Sequence, residues 1–275
     1  MDLTSSNQES DVDTILFFDD FSTGELDRTK WNVVTTGKLH NRELQAYVDA
    51  ERTISFAAPG EIEGSTTGAL VLAAHYEPGF TTADGQNFDF LSGRINTRGK
   101  FAFQYGRAAA RMRLPAGLGF WPAFWLLGEA GWPQSGEIDV MESIGDPAWV
   151  SAAVHGPDYS GESGLVNRYY FDARHPANSW HVYSLDWKPD DMTFKVDGEI
   201  IYQVTRPMVD FLGPWVFDNE KYLILNFALG GTYPFKTHGV AEPYYGLPRD
   251  TLEKIRAGQA RVYVDWVRVQ GLSSV

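Results

Sequence analysis

Ser135-Gly136-Glu137-Ile138-Asp139-Val140-Met141-Glu142-Ser143 sets three carboxylates within six residues, interleaved with Ile, Val and Met. Acids alternating with β-favouring apolar residues predict a half-buried strand. Side chains alternate faces along a strand, so Glu137 and Asp139 share one face. In a regular strand Glu142 falls on the opposite face. One extra residue, a β-bulge around Val140 or Met141, returns it to the face of the other two. Such a row of like charges is costly unless a reaction uses the repulsion. Glycoside hydrolysis does: one carboxylate stays ionised as nucleophile and one carboxyl stays protonated as acid, their pKa values pushed apart by neighbours. Taken alone, E-x-D-x-x-E suits the solvated face of an ordinary antiparallel strand equally well.

The flanks add weight to the first reading. Upstream runs Gly117-Leu118-Gly119-Phe120-Trp121-Pro122-Ala123-Phe124-Trp125-Leu126-Leu127, then Trp132-Pro133; downstream lies Val154-His155-Gly156. Trp121 and Trp125, four apart, share one face of a strand. Aromatic residues make up 14% of the chain, with nine Trp and thirteen Tyr, which suits stacking against sugar rings, although most Phe belong in a core. The net charge of −13 argues against nucleic acid, anionic membrane and strongly sulfated polysaccharide as partners, and is indifferent to a neutral glucan. No apolar run is long enough to span a bilayer. With no cysteine there are no disulfides, so stability rests on packing, hydrogen bonds or a metal. No linker, charge block or repeat divides the 275 residues; we expect a polar lead-in, 1–13, and one domain, 14–275, acting as a monomer.

Together these pieces resemble glycoside hydrolase family 16, and within it the laminarinase-like branch with the bulged motif. The matching stretches are WPAFWLLG (121–128), WPQSGEIDVMESIG (132–145), VHG (154–156), LILNFALGG (223–231) and VDWVRV (264–269), with FFDDF…LDRTKWN (17–32) and HNRELQAY (40–47). The resemblance implies an all-β jelly-roll sandwich of two antiparallel sheets, with an open cleft on the concave one. It also implies retaining endo-cleavage of β-1,3-glucan, with no cofactor for catalysis. Glu137 would be the nucleophile, Glu142 the acid and then the base, about 5–5.5 Å apart. Asp139 would orient Glu137 and help keep Glu142 protonated; His155 would support Asp139 or contact the sugar near the cleavage point. Asn41, Arg94, Trp121, Trp125, Trp132 and Asn226 would contact the sugar. A structural calcium is expected on the convex side with Asp265 as a ligand; otherwise Asp265 faces water. Because such a polymer is met outside the cell, we expect secretion, with a signal segment removed ahead of Met1.

In chain order, strands are predicted at Ile15–Phe18, Trp31–Val34, Ala69–Ala74, Ser92–Thr97, Phe101–Leu114, Ala148–His155 and Lys221–Leu229, with a loop at Gly79–Asn87. A meander over His181–Lys188, Met192–Val196 and Glu199–Val204 turns at Asp197-Gly198. Thr232–Gln259 is an insertion, with one helix starting at Asp250-Thr251-Leu252-Glu253 as a capping box and stopping at Gly258. Its aromatic residues Tyr233, Phe235, Tyr244 and Tyr245 either border the cleft or pin the insertion to the body. Two other functions remain open: glucan binding without catalysis, and hydrolysis of mixed-linkage β-1,3-1,4-glucan, agarose or a galactan. Retention of all three acids weighs against the first. The extra Met141 weighs against strict mixed-linkage enzymes, which use E-x-D-x-E.

Overall fold

The computed structural model describes residues 14–36 and 40–272, so the expected lead-in lies outside the described residues. Alternating apolar residues fold into two antiparallel sheets whose inner faces share one hydrophobic core. The first sheet runs, edge to edge, β13 (Leu165–Tyr170), β12 (Trp149–His155), β11 (Glu137–Glu142), β10 (Phe120–Gly128), β17 (Lys221–Leu229), β8 (Arg94–Asn96) and β2 (Asn32–Val33). The second runs β16 (Glu199–Thr205), β15 (Asp191–Val196), β14 (Trp180–Trp187), β9 (Gly106–Arg113), β18 (Arg261–Gln270), β5 (Ala69–Ala73) and β4 (Ile54–Ala57), with β1 (Ile15–Asp19) also paired to β18. The jelly-roll sandwich expected from the sequence is present.

Three local expectations change. A third, small sheet joins β3 (Gln45–Tyr47) in parallel to β7 (Asn87–Ser92), which pairs with β6 (His75–Thr81). The expected loop at 79–87 is therefore the tip of a hairpin. The strand expected from Phe101 begins only at Gly106, because Tyr105 turns the chain with φ 62° and Phe103 makes a single bridge to Lys221. The insertion holds two helices, α2 (Thr232–His238) and α3 (Arg249–Arg256), beside the short α1 (Arg206–Asp210) earlier in the chain. No capping box forms on α3: Pro248 is its N-cap, and the Thr251 hydroxyl donates instead to the Leu118 carbonyl.

That bond shows what the insertion does for the fold. Lys254 Nζ also reaches the Ala116 carbonyl at 2.6 Å, so α3 ties down the loop that feeds β10. Gly119 in that loop has φ 92°, and any Cβ there would run into the Gly246 carbonyl. The insertion and the loop before Trp121 therefore pack as one piece. Tyr244 pins the insertion to the body, edge-on to Phe90 at 4.7 Å with its hydroxyl 2.8 Å from Asp89.

Candidate active site

The acidic strand is bulged. On one side β10 pairs Trp125 with Asp139 and Phe124 with Met141, leaving Val140 without a partner; on the other, Asp139 faces Ala153 and Glu142 faces Ser151. Val140 and Met141 are both buried in the core, as is Ile138. Burying an apolar side chain of that size contributes about 1.5–3 kcal/mol. A regular strand would turn Met141 out and drive the Glu142 carboxylate in, losing that gain and adding a desolvation penalty. The core thus holds the bulge, and the bulge puts Glu137, Asp139 and Glu142 together in the cleft.

His155, paired across from Glu137, places Nε2 3.3 Å from Asp139 Oδ2 and 3.9 Å from Glu137 Oε1. Trp121 Nε1 donates to Glu142 Oε1 at 2.8 Å, and Trp125 Nε1 donates to Asn226 Oδ1 at 2.7 Å. Burial pushes all three carboxyls up. Asp139 rises to about 8; Glu142 rises to about 7, with the Asp139 charge adding to the rise and the Trp121 hydrogen bond opposing it. Glu137 rises well above the usual carboxylate range, from burial and then the Asp139 charge, with His155 opposing. The row cannot hold three charges at neutral pH. His155, close to both Glu137 and Asp139, is the neighbour that opposes the rise at Glu137.

Two adjoining cavities make up the cleft. One, of about 470 Å³, is lined by Asn41, Arg94, Trp121, Trp125, Trp132 and Asn226 with the three acids. The other, of about 870 Å³, shares Asn41, Trp121, Trp132, Glu137 and Glu142 and adds His155. Every expected site residue except Asp265 is therefore in the cleft. Arg94 lies 5.0 Å over the Trp125 ring, and Trp132 is half exposed at the mouth. Glu43, which the sequence sets beside Asn41 in the matching 40–47 stretch, and Tyr47 at the end of that stretch line the first cavity as well. Gln45 donates to Glu43 at 2.8 Å, and Tyr47 accepts from Asn226 at 3.1 Å. The alternation Glu43-x-Gln45-x-Tyr47 was the available signal for them. Tyr233 from α2 lines the second cavity and packs edge-on against Trp121 at 5.6 Å, so part of the insertion does border the cleft.

Asp265 does not suit the expected calcium, and it does not face water. It occupies a bulge in β18 and is fully buried on the other sheet. Oδ1 accepts from the Thr66 amide at 2.8 Å, and Oδ2 accepts from Arg111 Nη1 at 2.6 Å. Both carboxylate oxygens of Asp265 are thus already engaged, one of them by the Arg111 charge. Among the described residues, one cluster of three acidic or histidine side chains could hold a metal: Glu137, Asp139 and His155, whose ligand atoms lie within 4.8 Å of one another.

Comparison with known proteins agrees with this geometry. The chain is 34% identical over 233 residues to a β-glucanase of Rhodothermus marinus, covering 80% of this chain and 76% of the relative. It is 31% identical over 246 residues to glucan endo-1,3-β-glucosidase A1 of Niallia circulans, covering 80% of this chain and 34%, about a third, of that protein. The solved structure of an endo-β-1,3-glucanase from Pyrococcus furiosus superimposes with a TM-score of 0.79 at 32% identity, covering 95% of each chain. With the model of glycosyl hydrolases family 16 matching residues 29–219, most of the sandwich and all three acids included, the chain belongs to that family.

Proposed function

We propose that this protein is a retaining endo-glycosidase that cleaves internal β-1,3-glucosidic bonds of laminarin-type β-glucan by double displacement. The observation that carries the reading is the bulge, which brings three acids to one row of an open cleft. Glu137 attacks the anomeric carbon. As that bond forms, the glycosidic bond breaks and the leaving oxygen takes the proton of Glu142, whose pKa, raised to about 7, leaves a substantial share of it protonated at neutral pH. Glu142, now ionised, removes a proton from water, and the water displaces Glu137 with net retention. Asp139 lies between the two glutamates, where its charge helps keep Glu142 protonated, and His155 sits against Glu137 and Asp139.

Two measurements test the mechanism. Glu137→Ala should reduce kcat by at least about a thousandfold while leaving the fold and glucan binding intact. Glu142→Ala should regain cleavage with azide and release a β-glycosyl azide. Product of inverted configuration from the unaltered protein would end the two-step reading. Product analysis on laminarin, lichenan and agarose separates β-1,3-glucan from the mixed-linkage and galactan alternatives. Activity confined to lichenan or agarose would replace the substrate proposed here.

A further inference from the structure

Strand β17 sends alternate side chains into the core: Leu223, Leu225, Phe227 and Leu229. Period two puts Lys221, its first residue, on that same inward face. Lys221 is fully buried, a rare place for a lysine. Its Nζ donates to the Ser135 carbonyl at 2.5 Å and to Asn219 Oδ1 at 3.1 Å. The Phe217 and Trp187 rings stand 5.4 and 5.7 Å from it. Burial pulls the amine down to about 7, with the Asp218 charge opposing. Two acceptors serve it in either form, because even the neutral amine carries two N–H groups. An apolar side chain would fill the position without the cost of desolvating an ammonium.

The carbonyl that Lys221 holds belongs to a residue between two parts of the cleft. Ser135 follows Trp132 of the cleft mouth by three residues and precedes Glu137 by two. Its hydroxyl donates to the Gly128 carbonyl at 3.1 Å, which closes the base of the loop between β10 and β11. Asn219 is itself oriented, its Nδ2 donating to the Val216 carbonyl at 2.8 Å. Gly136 has φ 69°, and a Cβ there would come within 2.7 Å of that same Val216 carbonyl. The entry to β11 is therefore packed against residues 216–219, with Lys221 Nζ at the junction. On its other side Glu137 has little to hold it. Only Glu137, Ile138 and Asp139 pair regularly with β10 before the bulge interrupts the ladder.

We propose that Lys221 is a positioning residue for the nucleophile: by holding the Ser135 carbonyl from inside the core, it fixes where β11 begins and so where Glu137 stands in the cleft. The proposal rests on the glycosidase reading above. Lys221 touches no substrate and acts only through the backbone that leads into Glu137.

Lys221→Met keeps a long unbranched side chain and removes the donor. Hydrogen exchange followed by mass spectrometry should quicken over residues 129–137 and stay unchanged in the rest of the first sheet. On laminarin, kcat/KM per folded molecule should fall about tenfold. It should fall by the same factor on 2,4-dinitrophenyl β-laminaribioside, whose leaving group departs without help from an acid. A residue that served stability alone would lower the melting temperature and leave both kcat/KM values in place. Asn219→Leu withdraws one of the two acceptors and should give both effects more weakly; it decides the question if Lys221→Met does not fold. Unchanged exchange over 129–137, or full activity on laminarin, overturns the proposal. So does a loss on laminarin that vanishes with the activated substrate, since the damage would then lie at Glu142. An unaltered protein that cleaves neither substrate overturns the glycosidase reading instead, and the exchange result alone then judges the anchor.

Discussion

Glu142 is balanced between opposing neighbours, and the balance sets a pH limit. Its carboxyl is held up to about 7 by burial and the Asp139 charge, against the pull of the Trp121 hydrogen bond. The acid must be protonated to act, so kcat/KM should fall as pH rises through about 7. Trp121→Phe removes a donor that favours the ionised form, so the alkaline limb of the pH profile should move upward even as activity drops; a downward move would contradict this account. Stability responds as well. Asp139 and Glu142 titrate near their ordinary values when unfolded but at about 8 and about 7 when folded. Between about pH 4 and 8 the native protein therefore binds more protons than the unfolded chain, and stability falls as pH rises across that window. Asp139→Asn should raise the melting temperature at pH 8 and do little at pH 4, which thermal melts at the two pH values would show.

Strand β11 ties spacing to chemistry. Deleting Met141 leaves E-x-D-x-E, and a strand without the bulge still puts those three acids on one face. The variant should fold, with Glu142 moved along the strand but not turned into the core. Activity should fall about a hundredfold from misplacement on the order of an ångström, without vanishing. Inserting alanine after Met141 should be worse, because it sends the acid inward unless a second bulge forms. Assays with near-ultraviolet circular dichroism on both variants check the order; a deletion that unfolds the sheet would show that the core depends on Met141 more than the site does.

At the scale of the whole sandwich, the second sheet is clipped by an ion pair. Arg111 on β9 reaches both Asp265 on β18 and the Gly64 carbonyl, joining two strands to the loop before β5. A chelator should therefore leave the melting temperature unchanged. Arg111→Leu strands a fully buried carboxylate and should cost on the order of 3 kcal/mol. A melting temperature that falls with chelator and recovers with calcium would restore the metal.

Period-two alternation is local, so the sequence alone determined most of the strands around the site, though not β4, β6, β7 or β13, and also that Glu137 and Asp139 share a face of their strand, as Trp121 and Trp125 do of theirs. The Asp197-Gly198 turn and β17, from Lys221 to Leu229, were equally legible, since turn chemistry and an unbroken apolar run each lie within a few residues. The family resemblance supplied most of the remaining cleft contacts. The side to which Glu142 turns was a conditional reading; the core decided it by drawing in Val140 and Met141 together. Tyr233 was left between bordering the cleft and pinning the insertion, because its nearness to Trp121 depends on a helix folding back from the far end of the chain. Asp265 reads as a surface or metal-binding acid until Arg111, distant in the chain, is packed against it. Alternation records which face a side chain takes, but register between distant segments is chosen by how their apolar faces fill one core, and only the folded molecule contains that choice.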